Sequence, residues 1–161
     1  MRRRFQGRGV LLTLACIPIV GITGCGSSDA MGLAVPPGEM QPPGSILLLR
    51  GSFHDVVTPG TGRAEIFEAP DGTRTLHLSD FRTDPGPKLE VYMVAAPDAT
   101  DSQSVVDAGY ISLGALQSAS GDQTYSVPAD LDLSVYRAVT IWCVTFVVNF
   151  TTAPVTPVVS A

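Results

Sequence analysis

The sequence predicts an all-β fold, a single antiparallel β-sandwich of about seven strands that follows an N-terminal export signal and a flexible tether. Three observations carry this expectation. Short runs rich in Val, Ile, Thr and aromatic residues recur from Leu47 to Phe150, separated by clusters of Gly, Pro, Asp and Ser. One run, Lys88-Leu-Glu-Val-Tyr-Met-Val, places Leu89, Val91 and Met93 on one face and Lys88, Glu90 and Tyr92 on the other, the period-two pattern of a half-buried strand. No run has a convincing helical period.

The N-terminus comes first in the chain and differs from the rest. Arg2, Arg3, Arg4 and Arg8 precede an apolar, uncharged stretch that ends in small residues, the layout of a secretory signal. The stretch contains Pro18 and several glycines, so it reads poorly as a permanent membrane span. Ile22-Thr23-Gly24-Cys25 resembles a bacterial lipobox, in which an aliphatic residue and two small residues precede the cysteine that is acylated. Residues 1–24 are therefore expected to be a lipoprotein signal peptide, with Cys25 the lipidated N-terminus. Acyl chains such as palmitate contribute about 0.8 kcal/mol per buried methylene, and two or more give stable attachment. The expected location is the extracytoplasmic face of the cell membrane, with the lipid as anchor.

Residues 25–44 are rich in Pro and Gly, which favour an extended, solvated chain; they are expected to be a tether. Residues 45–155 form the domain and 156–161 a short tail. Within the domain, Leu47–Phe53 opens the sandwich. Arg63–Glu68 and Thr73–Leu78 follow as a hairpin around Ala69-Pro-Asp-Gly, where Pro presets φ and Asp-Gly supplies the reversal. Residues 96–109 read as a polar loop. Tyr110–Gly114 and Gln123–Val127 are two more strands, and Leu131–Tyr136 one short helical turn. Val139–Phe150 closes the domain as one long central strand. Its alternation puts Val139, Ile141 and Cys143 on one face and Trp142, Phe146 and Phe150 on the other, so the aromatics are expected in the core and Cys143 on the opposite face.

Charge excludes some partners. Without the four signal arginines, six basic residues face fifteen acidic ones, a balance of about −9. A nucleic-acid partner needs a basic footprint, and none survives. There is no nucleophile elbow, metalloprotease motif or phosphate loop, so a classical enzyme is not expected.

The chemistry converges on sulfur. Of three cysteines, Cys16 and Cys25 lie in or at the edge of the signal, which leaves Cys143 as the one unmodified thiol of the processed chain. Such a residue is either a buried small hydrophobe or a reactive group. A redox thiol needs a thiolate-stabilising neighbour; a haem or a soft metal would need further ligands. The residues able to supply them are His54, His77 and Met93.

Six short motifs occur in order: Gly51-Ser-Phe53, Leu78-Ser-Asp-Phe81, Gly86-Pro-Lys-Leu-Glu-Val-Tyr-Met93, Ile111-Ser-Leu-Gly114, Gly121–Pro128 and Val139-Thr-Ile-Trp-Cys143-Val-Thr-Phe146. Together they resemble the DM13 domain. The resemblance implies a sandwich related to DOMON-type domains and an electron-transfer role, with a redox protein partner and with Cys143 as a thiol or as the ligand of a redox group such as haem. Two positions depart from the family pattern: Thr58 stands where a histidine is usual, and Lys88 where an acid is usual. The reading from a different class is a cell-surface binding or structural module in which Cys143 is only packed.

Overall fold

A computed structural model describes residues 43–158. The signal peptide, Cys25, most of the tether and the last three residues of the tail lie outside the described residues. The strands are β1 (Ile46–Ser52), β2 (His54–Asp55), β3 (Gly60–Glu68), β4 (Arg74–Thr83), β5 (Leu89–Val94), β6 (Tyr110–Ala115), β7 (Gln123–Val127), β8 (Ala138–Cys143), β9 (Val148–Pro154) and β10 (Thr156–Pro157); one helix, α1 (Ser102–Ala108), precedes β6. They form two five-stranded sheets, ordered β10-β1-β3-β4-β7 and β2-β9-β8-β5-β6. The strand pairs within both sheets are antiparallel. The fold is an all-β sandwich, as the strand spacing predicts.

Local chemistry explains the best-read elements. The β3–β4 hairpin turns at Ala69–Gly72, closed by the Thr73 carbonyl accepting from Ala69 N–H and the Ala69 carbonyl accepting from Gly72 N–H, both at 2.9 Å. In β5, Leu89, Val91 and Met93 enter the inter-sheet core. That core joins Leu49, Ile66, Leu76, Leu78 and Phe81 of one sheet to Val139, Ile141, Cys143 and Phe150 of the other. Each large apolar side chain so buried contributes about 1.5–3 kcal/mol. Gly51 lets β1 approach the second sheet, because a Cβ there would overlap the Pro154 carbonyl.

Three expectations are corrected. The run Val139–Phe150 is not one strand: β8 ends at Cys143, residues 144–147 turn, and β9 begins at Val148. Val-Thr-Phe-Val has no turn signature, and Val147 turns the chain at φ 57°, which β-branched residues seldom adopt. Pairing of β8 with β9 overrides that local preference. The faces are also reversed. Cys143 lies in the inter-sheet core, whereas Trp142 faces outward into a second cluster with Tyr92, Val94, Ala99, Val105 and Ala138. Phe146 is not core at all but 64% exposed at the turn. Finally, the expected loop at 96–109 contains α1. Asp101 caps it by accepting from Ser104 N–H at 2.7 Å, and Val105 is buried over the outward face of β5 and β8. A helix of two turns is too short for a readable period. Leu131–Tyr136 does make one hydrogen-bonded turn as expected, with the Asp132 carbonyl accepting from Val135 N–H at 3.1 Å and from Tyr136 N–H at 3.0 Å.

Candidate functional site

Cys143 is the last residue of β8, paired with Leu89 on one side and Val148 on the other. Its side chain is fully buried and unbridged. Sγ donates to the Pro87 carbonyl at 3.2 Å. The covering segment, Gly86-Pro87-Lys88, is short and tightly held. Val144 N–H donates to the Lys88 carbonyl at 3.0 Å, and Thr145 Oγ1 reaches the Pro87 carbonyl at 3.5 Å. At Gly86 a Cβ would stand 2.8 Å from the Phe150 ring. Lys88 has φ 47°, a left-handed conformation that costs about 1–2 kcal/mol for a residue with a Cβ. The thiol is thus buried at the end of a strand, under a backbone strap, one residue from the exposed Val144–Val147 turn.

The other candidate ligands are not gathered around it. Met93 points into the same core but pairs with Val139, four residues along β8 and so roughly 13 Å from Cys143 at about 3.3 Å per residue. His77 lies on the outer face of the other sheet, edge-on to Phe67 with ring centroids 5.1 Å apart. His54 sits on edge strand β2, and its Nε2 is 2.9 Å from Asp98 Oδ1. Partial burial pulls its pKa down. The bond to Asp98, the Asp55 carbonyl and the charges of both acids outweigh this, so the net shift is upward from 6.5. Beside that pair, Asn149 donates to the Ala99 carbonyl and to Thr152 Oγ1, each at 2.9 Å, which holds the 95–101 loop to the sheet.

A family model described as electron transfer DM13 matches residues 52–155, well over half of the chain. The chain belongs to the DM13 family. No curated protein and no solved structure matches it. In this DM13 domain, no group of three or more His, Cys, Asp or Glu side chains among the described residues could hold a metal ion. Asp80 turns the chain at φ 51°, its N–H donates to Asp122 Oδ1 at 2.8 Å, and its carboxylate is 3.6 Å from Arg63. Cavities of about 340, 430 and 350 Å³ are lined by residues such as Pro59, Arg82, Asp122 and Pro70, and Cys143 lines none of them. With Cys143 packed among aliphatic side chains, Met93 buried at the far end of the same core and His54 and His77 outside it, these residues do not fit a haem in this packing.

Two contributors escape sequence reasoning. Pro87 acts through its backbone carbonyl, and a carbonyl leaves no side-chain signature; the Gly-Pro-Lys motif was the available signal. Asp98, the partner of His54, is 44 residues away in sequence. The aromatic stack of Tyr110, Tyr92 and Trp142, with centroids 4.3 Å and 6.0 Å apart, is also tertiary. Burial, with the nearby Glu90 charge and Tyr110, pushes Tyr92 up to about 12. No helix among the described residues is long and apolar enough to cross a membrane.

Proposed function

We propose that this protein is a lipid-anchored electron-transfer module on the extracytoplasmic face of a membrane, with Cys143 as its redox-active thiol. Membership of a family described as electron transfer, over residues that include Cys143, carries this reading. Burial beneath a single strap supports it: a thiol held by one backbone acceptor can be uncovered without opening the sandwich. The exposed apolar turn beside it, with Phe146 64% and Val147 61% exposed, offers a protein partner a contact at the thiol. The partner is then a disulfide-bearing redox protein. Cys143 gives up its proton and attacks one partner sulfur, a mixed disulfide forms, and the second partner sulfur leaves as a thiolate, so Cys143 is oxidised and that sulfur reduced.

One observation favours a second reading, a surface binding or structural module: Cys143 has no exposed area, as a core cysteine would. Thiol labelling of native protein separates the two. The redox reading expects slow labelling that accelerates with Gly86→Ala, whose Cβ would press on Phe150 and lift the strap. It also expects a mixed disulfide with a disulfide-bearing protein that Cys143→Ser abolishes. A thiol that reacts only after denaturation, in both forms, would sink it. An absorbance spectrum and metal analysis of protein from its native host provide a separate check, since a visible chromophore would make Cys143 a ligand instead.

The anchor is tested independently. Cys25→Ser is expected to abolish labelling by a fatty-acid probe and to release the protein from membranes; continued labelling would refute acylation at Cys25.

A further inference from the structure

Arg82 is a cation without a partner among the described residues. The ion pairs there use Arg50, His54, Arg63 and Arg74, and the Arg82 guanidinium makes no hydrogen bond within them. Its place in the ladder sets its surroundings. On β4 it stands opposite Thr61 of β3 and, on the other side, opposite Ser120 through an isolated bridge. Residues directly opposite across an antiparallel pair present their side chains to the same face, with Cβ atoms about 4.5–5.5 Å apart. Two hydroxyls therefore flank the guanidinium in one row, and all three residues are exposed. The row lines a cavity of about 340 Å³ whose walls include Pro59, Pro85 and Ala119. Asp84, two residues beyond Arg82, lines it too. In an extended chain such residues stand about 6.6 Å apart, and Arg82 and Asp84 do not pair with each other.

We propose that this cavity binds a short zwitterion of about dipeptide length, its carboxylate on Arg82, Thr61 and Ser120 and its ammonium on Asp84. The donors select the carboxylate: a guanidinium between two hydroxyls converges on one acceptor group, and charge-assisted hydrogen bonds are roughly twice as strong as neutral ones. The acids select the ammonium. Asp84 shares the cavity, and Asp80 and Asp122 line a second cavity on which Arg82 also borders. Those two are engaged, Asp80 with Arg63 at 3.6 Å and Asp122 with the Asp80 N–H at 2.8 Å, but their charge still repels a polyanion that brings no cation of its own. Spacing selects the length. An extended dipeptide spans about 7 Å at about 3.3–3.6 Å per residue, close to the separation of Arg82 and Asp84. Pro59, Pro85 and Ala119 give its side chains apolar contact, and the volume lies at the low end of small-ligand sites, about 300–1,000 Å³.

The site adjoins the thiol along the chain. Pro85 walls the cavity, and the carbonyl of Pro87, two residues on, accepts from Cys143 Sγ at 3.2 Å. An occupant held by Asp84 and Pro85 braces the strap and keeps Cys143 covered. This coupling rests on Cys143 being the redox thiol; the binding site does not.

Titration of the full chain with L-alanyl-L-leucine, followed by backbone amide resonances, tests the site. Saturable shifts at Thr61, Arg82 and Ser120 are expected. N-acetylation of the dipeptide removes its ammonium and C-terminal amidation its carboxylate; each is expected to weaken binding about tenfold, the loss of one charge-assisted contact. Arg82→Gln and Asp84→Asn, both at exposed positions, are expected to do the same from the protein side. No saturable shift in the unaltered chain would overturn the site. Equal binding of the acetylated dipeptide, or tighter binding of inorganic phosphate, would overturn the zwitterion, and undiminished binding by Arg82→Gln would overturn its placement. Saturating dipeptide is also expected to slow thiol labelling of Cys143 severalfold, because the uncovered strap binds it less well. Binding that leaves the labelling rate unchanged would overturn the brace. A Cys143 that labels in neither state would overturn the redox reading and the brace together, while the titration still decides the site.

Discussion

At Cys143 the sequence and the fold ask different questions of the same atom. Its place in the inter-sheet core gives it complete burial, and burial in apolar surroundings keeps a thiol inert; at the end of β8, Sγ donates to the Pro87 carbonyl. Cys143→Ser keeps a donor for Pro87, so it is expected to fold with a loss of about 1 kcal/mol, read from the urea midpoint. Cys143→Ala leaves a small cavity and that carbonyl without its donor, for a loss of about 1–2 kcal/mol. His54 makes a second prediction at this scale. Its folded pKa is raised above 6.5, so its stabilising contribution is complete below about pH 6.5 and is lost as pH rises through the folded value. Both partners are more than a third exposed, and an exposed pair contributes only about 0.2–1 kcal/mol. Asp98→Asn is expected to flatten that part of the pH–stability profile; a profile unchanged by the substitution would show that the pair contributes nothing.

Among the elements, the β8–β9 turn and the Gly86–Lys88 strap carry the strain. Val147 at φ 57° and Lys88 at φ 47° both occupy the left-handed region, where glycine meets no steric penalty. Val147→Gly and Lys88→Gly are each expected to gain roughly 0.5–1 kcal/mol in denaturant midpoint, the relief exceeding the added freedom of the unfolded chain. Val147, at 61% exposure, loses little packing on substitution. If Lys88→Gly instead lowers stability, the Lys88 conformation is supported by contacts stronger than its strain. Helix α1 is the element that composition hides best. Its one buried residue, Val105, closes over Trp142, and Val105→Ala is expected to cost about 1–2 kcal/mol and to red-shift the emission of Trp142, the sole tryptophan.

For the whole molecule, the sandwich depends on how closely its two sheets approach. Gly51 on β1 stands against the Pro154 carbonyl of β9, and backbone cannot yield as a side-chain tip can. Gly51→Ala is expected to cost more than about 2 kcal/mol, measured by thermal unfolding, which would explain a glycine in the Gly51-Ser-Phe53 motif on packing grounds alone. The chain's net charge of −5 disfavours adhesion to anionic surfaces by charge alone.

Much of this was legible from residues alone. The Ala69-Pro-Asp-Gly hairpin, the alternation of β5 and the sandwich class follow from local chemistry, because turn residues and period-two patterning act over neighbours in sequence, and the family follows from the resemblance of six ordered motifs. Cys143 as the residue to watch also came from counting. Tertiary structure decided the rest. Val144–Val147 turns without a turn residue because β9 finds its hydrogen bonds on β8, and the packing of the two sheets, not the strand's own alternation, put Cys143 in the core and Trp142 outside it. The candidate ligands His54, His77 and Met93 were plausible by type, but side-chain chemistry does not specify a face. Only the pairing of strands far apart in sequence put Met93 in the core, His54 on an edge strand and His77 on the outer face of the other sheet, and set the Pro87 carbonyl, which no pattern of side chains encodes, beside the thiol.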